Sequence, residues 1–326
     1  MFLILVDNLV LEDWNERYGH LRSVNDQGVL VVQLRPSLSS LLELKIINCP
    51  KLQALPVHFG PQKLEISGCQ LLSTLLIPDY SRRLQRLALD TCHDGTLVRV
   101  IPETISLYSL VISNISSLTS LPKWPTLSGL NALYIHNCEA LVSLSEEEAS
   151  FQGLTSLKLL SIWGCPKLVT LPNKGLPASL ERLSIGSCPS LKSLGPGEML
   201  KSLTSLRDLY IEDCPAVETL PEKGFSSSLK HLHVEGCPIL TRRCQKDIGP
   251  DWSKIKDIPD LDLEPIEVSS VPNLLKEQLK PTWYHHFTLC KGIDIKEIGQ
   301  PLQRNPVTLV QRERGELQDL KNSMYL

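Results

Sequence analysis

One fifteen-residue pattern, L-x-x-L-x-I-x-x-C-x-x-L-x-x-L, recurs nine times with few substitutions in this chain of 326 residues. The first copy runs from Leu41 through Cys49 to Leu55, and Pro56 follows it. The copies begin at residues 41, 61, 84, 107, 130, 157, 180, 206 and 229, so successive starts lie 20–27 residues apart. Self-similarity at such a period predicts a solenoid, because one copy is too short to bury its own apolar face and must stack on its neighbours.

The Leu-x-Ile segment of each copy predicts a short β-strand. Its leucine and isoleucine point to one side of the strand, and the residue between them points to the other side. Repeats of roughly 20–29 residues with this leucine spacing are leucine-rich repeats, whose strands stack in parallel. We therefore predict an α/β-type solenoid, a leucine-rich-repeat horseshoe with a parallel concave β-sheet and an irregular convex side.

The pattern divides the chain into four segments. Residues 1–40 are interpreted as a degenerate first repeat and an irregular lead-in, because Leu9, Leu11 and Trp14 keep the repeat spacing with tryptophan in the cysteine position. Residues 41–240 are the nine repeats. The polar stretch 241–263 breaks the pattern, as a terminal cap does. Residues 264–326 are polar with scattered proline and are expected to form a disordered tail.

Composition narrows the classes of partner. The net charge is −3, which argues against a nucleic acid or an anionic membrane held by bulk charge. No apolar run reaches 18 residues, so no membrane span is expected. The opening MFLILV lacks a basic region and a cleavage site, and is interpreted as a buried strand rather than a signal peptide.

Eight of the ten cysteines occupy the same position of the repeat. They are expected to form one inward-facing column of reduced thiols, which favours a cytoplasmic setting. A metal or redox ladder is the alternative, but a zinc site needs four convergent ligands, and Ile115 takes the cysteine position in the fourth copy. The column is Cys49, Cys69, Cys92, Cys138, Cys165, Cys188, Cys214 and Cys237.

Other chemistry-bearing residues do not form a recognisable site. His231 and His233 share a strand face and could contact a metal with Glu235, but three exposed strand residues usually bind nothing. The carboxylates at 146–148 lie where extra residues lengthen the fifth copy and are expected to be solvated. Phosphate-binding, dinucleotide-binding, nucleophile-elbow and zinc-protease motifs are missing from the sequence. We therefore expect no catalytic residue, no metal and no cofactor, and a protein that is not an enzyme.

The exposed positions of the strands are the candidate functional site. Residues at the scaffold positions are monotonous, whereas the residues between and after them vary, as on a recognition surface carried by a rigid frame. Large side chains with polar tips are the usual anchors of protein interfaces. The candidate partner-binding residues are Tyr134, His136, Trp163, Arg182, Tyr210, Glu212 and His233.

The wording of the repeats is specific. INCPKLQALP, IWGCPKLVTLP, IGSCPSLKSL, IEDCPAVETLP and VEGCPIL resemble the C-terminal repeats of plant coiled-coil-type nucleotide-binding disease resistance proteins. The resemblance covers residues 5–263. It implies an intracellular immune receptor module that senses a pathogen effector or a modified host protein and restrains a nucleotide-binding switch domain. That domain and its phosphate-binding loop are not found in this sequence, so the implied partners are proteins: an effector, a guarded host protein or the nucleotide-binding domain.

Two other kinds of protein also contain leucine-rich repeats. A stand-alone adaptor or decoy scaffold, such as a ubiquitin-ligase substrate adaptor, stays open as the alternative, although residues 1–40 do not have the pattern of an F-box helix bundle. An extracellular receptor would show L-x-G-x-I-P repeats, paired cysteine caps and many glycosylation sequons. This chain has one sequon, at Asn114.

Overall fold

The structure is a computed structural model of the whole chain, which divides into two units, Met1–Glu267 and Val268–Leu326. All described residues belong to the first unit. They are residues 8–12, 22–24, 30–32, 42–50, 52, 54–56, 61–72, 74–76, 84–93, 107–122, 127–144, 151, 153–172, 175–195 and 197–264. The expected disordered tail lies outside the described residues, apart from its first residue, Glu264.

Eleven strands form one parallel sheet, and each repeat contributes one of them. The predicted leucine-rich-repeat solenoid is therefore confirmed. The strands, in their order across the sheet, are β1 (Asn8–Glu12), β4 (Glu43–Ile47), β6 (Lys63–Ser67), β8 (Arg86–Asp90), β9 (Ser109–Ser113), β10 (Ala132–His136), β11 (Leu159–Trp163), β12 (Arg182–Gly186), β13 (Asp208–Glu212), β14 (His231–Glu235) and β15 (Asp260–Leu263).

The core is built by the second and fourth residues of the nine repeat strands. Each repeat strand pairs with the next without offset, so that Leu133, Leu160 and Leu183 lie side by side on β10, β11 and β12. All eighteen of these leucine, isoleucine and valine side chains are 0–2% exposed. Fully burying one such side chain contributes about 1.5–3 kcal/mol, and each coil can do so only against its neighbours.

Each of the nine repeat strands is followed by a residue in the left-handed backbone conformation, at which the chain turns inward. The residue directly before the cysteine position has a φ of 47–67° in all nine repeats. It is most often asparagine or glycine, the residues that adopt this conformation at least cost. Gly68 has a second reason to be glycine, since a Cβ atom there would lie 2.5 Å from Oδ1 of Asn48 in the preceding coil.

The eight column cysteines follow these turns and are buried, as predicted, with exposures of 0–7%. Most of them donate the thiol to the carbonyl oxygen two residues earlier, as Cys188 does to Gly186 O at 3.3 Å. Burial raises the pKa of the Cys92 and Cys237 thiols to about 11. None of the described cysteines forms a disulfide bond, and the column therefore consists of packed, protonated thiols.

A second, smaller sheet is formed by four strands in the first part of the chain. Its strands are β2 (Arg22–Val24), β3 (Leu30–Val32), β5 (Ala54–Pro56) and β7 (Thr74–Leu76), in that order. β2 and β3 are antiparallel, whereas β3, β5 and β7 are parallel. β2 and β3 lie inside the segment expected to be an irregular lead-in, and their β-branched and aliphatic residues favour this extended backbone.

A short helix, α1 (Met199–Ser202), lies in the seventh coil between β12 and β13. The end of the repeats is made by a second short helix, α2 (Pro238–Arg243), a 3-10 turn (Trp252–Lys254) and β15. Asp251 anchors this end to the eighth coil and is only 1% exposed. Its carboxylate accepts hydrogen bonds from Arg243 Nε at 2.8 Å and from the Leu220 N–H at 3.3 Å, and it pairs with Lys254 Nζ at 2.7 Å. Among the described residues, no helix is long and apolar enough to cross a membrane.

Candidate functional site

The side of the sheet that faces away from the core is called here the open face. It carries the first, third and fifth residues of each strand, because successive side chains of a strand point to opposite faces. The third row of this face is formed by the fifth residues of the strands. From β9 onward it reads Ser113, His136, Trp163, Gly186, Glu212 and Glu235, and Glu264 continues it directly after β15.

The strands β4 to β8 present balanced charges. Lys45 Nζ lies 2.9 Å from a Glu65 carboxylate oxygen and 3.3 Å from one of Glu43. The hydrogen bond with Glu65 raises the pKa of Lys45. Asp90 is also satisfied, since it accepts hydrogen bonds from the Ser67 hydroxyl at 2.7 Å and the Ser113 hydroxyl at 2.8 Å. This part of the open face is internally neutralised.

The centre of the open face, from β9 to β12, is almost uncharged. Tyr134 was expected to project as an exposed anchor, but this expectation is wrong, because the residue is only 9% exposed. Its ring stacks against the ring of His136, with centroids 6.2 Å apart and an interplanar angle of 18°. Ser161, its register partner on β11, is 8% exposed and is also buried. The centre is therefore more tightly packed than the strand pattern indicates.

Trp163 lies across the neighbouring strand. A Cβ atom at Gly186 would be 2.5–2.6 Å from three atoms of the indole six-membered ring, and three nearly equal distances place that ring face over the glycine. The indole N–H donates to the Ser184 hydroxyl at 3.3 Å, which holds the ring in this position. Trp163 remains partly exposed to solvent. The indole can therefore lie over position 186 only because glycine has no Cβ atom there. The repeat pattern alone could not show this dependence of Trp163 on Gly186.

Arg182 and Tyr210 are both engaged within the face. Arg182 donates from Nε and Nη2 to Asp208 Oδ2, at 3.1 and 2.9 Å. The Tyr210 ring centroid lies 6.1 Å from that of His233, at a tilt of 46°. Burial raises the pKa of the Tyr210 hydroxyl. These side chains are held in fixed positions and need little further ordering to contact a partner.

The strands β13 to β15 form an acidic end. His233 has carboxylates on both sides of its ring: Asp262 lies 2.9 Å from Nδ1, and Glu235 and Glu212 lie 3.5 and 3.8 Å from Nε2. His231 is paired in the same way, with Asp260 at 2.7 Å from Nδ1. Burial raises the pKa of Glu212, while the nearby His233 lowers it.

Sequence reasoning found only part of this acidic end. Asp260 and Asp262 were missed because β15 lies in the stretch interpreted as a polar cap; the alternation D-L-D-L was the signal that could have revealed a strand. In the part of the chain that the structure describes, no group of three or more histidine, cysteine or acidic side chains is arranged to hold a metal ion.

Part of the repeat region is similar to a known family of repeats. Residues 100–215 match the family model described as plant disease resistance protein RPS2-like, leucine-rich repeats. These residues are therefore similar to the leucine-rich repeats of plant disease resistance proteins. They include β9 to β13 and therefore the centre of the open face, where most of the candidate partner-binding residues lie.

A relative and a solved structure are also similar to the chain. Protein SUPPRESSOR OF npr1-1, CONSTITUTIVE 1 from Arabidopsis thaliana is 27% identical over 165 residues, which are 49% of this chain and 11% of that protein. The chain thus spans only a small part of the length of this relative. The leucine-rich repeat domain of the type III effector XopL is 19% identical with a TM-score of 0.42, covering 72% of this chain and 77% of that one.

Proposed function

We propose that the open face is the recognition surface of a plant intracellular immune receptor. In this proposal the face binds a pathogen effector or a host protein that an effector has modified. It also helps to restrain a nucleotide-binding switch domain, and it acts in the cytoplasm. The observation that carries the proposal is the contrast between scaffold and open face within repeats of the plant disease resistance type.

The scaffold positions leave the open face free to vary. The two buried positions of the repeat strands hold only leucine, isoleucine and valine, whereas the open face holds aromatic, acidic, basic, hydroxyl and small residues. Because the fold is specified by the buried positions and the left-handed turns, substitutions on the open face change what the surface binds without changing its frame. This division of roles suits a receptor for diverse proteins.

Six of the candidate residues support the proposal by position. His136, Trp163, Arg182, Tyr210, Glu212 and His233 are only partly buried. Aromatic and arginine side chains that are fixed before binding lose little conformational entropy at an interface and are the usual anchors. Tyr134 contributes to the same face by stacking on the His136 ring.

The test is an association measurement on the full chain. The chain is co-expressed with the nucleotide-binding domain of a receptor that has repeats of this type, and complex formation is quantified after purification. Alanine replaces the six partly buried candidates together. The matched control replaces four exposed charged residues outside the strands, namely Lys192, Lys201, Glu218 and Glu222.

The proposal expects the open-face variant to lose the complex and the control variant to keep it. It also expects the open-face variant to lose defence signalling when the repeats are returned to a complete receptor. If the control variant loses the complex and the open-face variant retains it, the turns rather than the sheet are the recognition surface.

A further inference from the structure

The last strand of the eleven-stranded sheet, β15, has backbone groups without a partner strand. It pairs with β14 on one side, and among the described residues no strand pairs with its other side, called here the free edge. Asp260 and Glu264 donate their backbone N–H groups to carbonyl oxygens of the ninth repeat, at 3.0 and 2.9 Å. Because successive residues of a strand direct these groups to opposite edges, the N–H and C=O groups of Leu261 and Leu263 point away from β14, at the free edge.

The core side of β15 is covered from one direction only. Leu261 and Leu263 lie in register with Leu232 and Val234 of β14. The buried residues of the nine repeat strands are 0–2% exposed because a strand lies on each side of them. Leu261 and Leu263 pack against the same core but remain partly exposed. Aliphatic side chains placed beside them would extend the core and be stabilised by burial.

The open-face side of β15 is acidic. The side chains of Asp260 and Asp262 are 65% and 74% exposed, and their partners His231 and His233 lie on the β14 side. Among the described open-face residues of β13 to β15 there is no lysine or arginine. A strand added at the free edge would lie about 4.8 Å from β15, so its own open-face side chains would lie beside these carboxylates. Lysine or arginine is favoured there, whereas a second copy of β15 would oppose like charges.

We infer that the free edge of β15 binds an extended segment of a partner protein by strand addition, and that this segment alternates aliphatic residues with lysine or arginine. Its backbone pairs with Leu261 and Leu263, and its basic side chains face Asp260 and Asp262. In such sites the main-chain hydrogen bonds provide affinity and the alternate side chains provide specificity. The free edge is a different surface from the open face, so this inference goes beyond the proposed function and does not depend on it.

The test measures binding of a designed peptide to the full chain. The probe is a fluorescein-labelled peptide of about six residues, a common strand length, in which lysine alternates with valine. Its dissociation constant is measured by fluorescence anisotropy. One control peptide has glutamate in place of each lysine. In the other, every backbone nitrogen is methylated, which keeps the side chains and charges and removes the N–H donors.

Hydrogen exchange resolved to single amides locates the bound peptide. In the free chain the amides of Leu261 and Leu263 should exchange faster than that of Glu264, which is bonded to the ninth repeat. The probe should slow the exchange of the two leucine amides. Each control peptide should bind at least about tenfold more weakly than the probe, because one reverses the charge and the other cannot donate hydrogen bonds.

Variants of the chain test the role of charge. Asp260→Asn/Asp262→Asn should weaken binding of the probe by about tenfold. The matched variant Glu43→Gln/Glu65→Gln, on β4 and β6, should change it less than about twofold, because exposed charges are screened beyond roughly 10 Å. If faster exchange at Glu264 shows that the aspartate variant releases β15, salt replaces it as the test. About 1 M salt, which screens charges beyond roughly 3 Å, should weaken binding of the probe to the unaltered chain, and an unchanged affinity would contradict the inference.

Four results overturn the inference. Equal binding of the methylated peptide would mean that charge attracts the probe without strand addition. Equal binding of the glutamate peptide would mean that the free edge does not select basic segments. Slow exchange of the Leu261 and Leu263 amides without the probe would mean that the edge is already covered, by a second copy if light scattering shows a dimer. Absence of saturable binding up to about 1 mM probe would mean that the edge does not accept such a segment.

Discussion

Replacing Leu160 with alanine tests which residues hold the solenoid together. Leu160 is fully buried on β11, in register between Leu133 and Leu183. The substitution removes three carbon atoms, and at about 0.8 kcal/mol each their transfer to water accounts for roughly 2.4 kcal/mol. The remaining cavity adds to this cost when the surroundings cannot collapse into it, and measured leucine-to-alanine costs span roughly 2–5 kcal/mol.

The structure places this substitution above the lower end of that range. Both neighbouring strands are held by backbone ladders on either side, so the leucines beside the cavity cannot move into it without breaking the register. A central coil also has two interfaces, whereas a terminal coil has one, and the defect weakens both. We therefore expect a loss of about 3–5 kcal/mol in the free energy of unfolding.

The assay is urea denaturation followed by circular dichroism, with the midpoint and the slope fitted separately. Glu181→Ala is the matched control, because this residue precedes the neighbouring strand and makes only a surface pair with Lys158 at 3.0 Å. Such a pair contributes less than about 1 kcal/mol. Equal destabilisation by the two substitutions would refute the assignment of Leu160 to the core.

Three further predictions concern the cysteine column, Asp251 and Gly186. The variant Cys290→Ser leaves only the nine buried cysteines that the structure describes. Thiol reagents should modify this variant slowly when it is native and completely when it is unfolded in urea. Rapid labelling of the native protein would contradict the buried column. Burial alone would raise the pKa of Asp251, but hydrogen bonds from Arg243 and Lys254 hold this pKa below its ordinary value. The ionised carboxylate therefore stabilises the fold at neutral pH, and this stability is lost as the pH falls below the ordinary aspartate pKa of about 3.9. The variant Asp251→Asn should be less stable at neutral pH and lose less stability on acidification, and parallel pH profiles of melting temperature would show that the pairing contributes nothing. The variant Gly186→Ala should displace the indole of Trp163 and shift its NMR signal, with a stability change below about 1 kcal/mol because a side chain rather than the backbone moves; an unchanged indole signal would mean that the ring does not lie on the glycine.

The fold could be predicted from the sequence because each buried position repeats. Nine copies of the same leucine spacing give nine independent indications of the same strand, and the cysteine position marks where each coil turns inward. β15 escaped prediction because its residues, Asp260–Leu263, stand alone and do not belong to a copy of the pattern. A repeat signal reports only the elements that repeat.

The candidate site was less accessible to sequence reasoning because its geometry depends on neighbouring strands. Which face Tyr134 occupies follows from strand alternation, but its burial depends on the rings packed around it. The position of the Trp163 ring depends on Gly186, which is 23 residues away in sequence and adjacent in space. The acidic end depends on β15, which adds Asp260 and Asp262 beside the two histidines of β14.

The end of the repeats therefore has two roles. Asp251, Arg243 and Lys254 anchor the last segment to the eighth coil, which closes the apolar end of the solenoid. The strand that follows this anchor contributes its carboxylates to the open face and makes that end of the face acidic. Loss of the anchor should then reduce the binding of a partner to the open face as well as stability, because β15 would no longer be held beside β14. A recognition surface that depends on the terminal segment in this way links the integrity of the solenoid end to the binding of its partner.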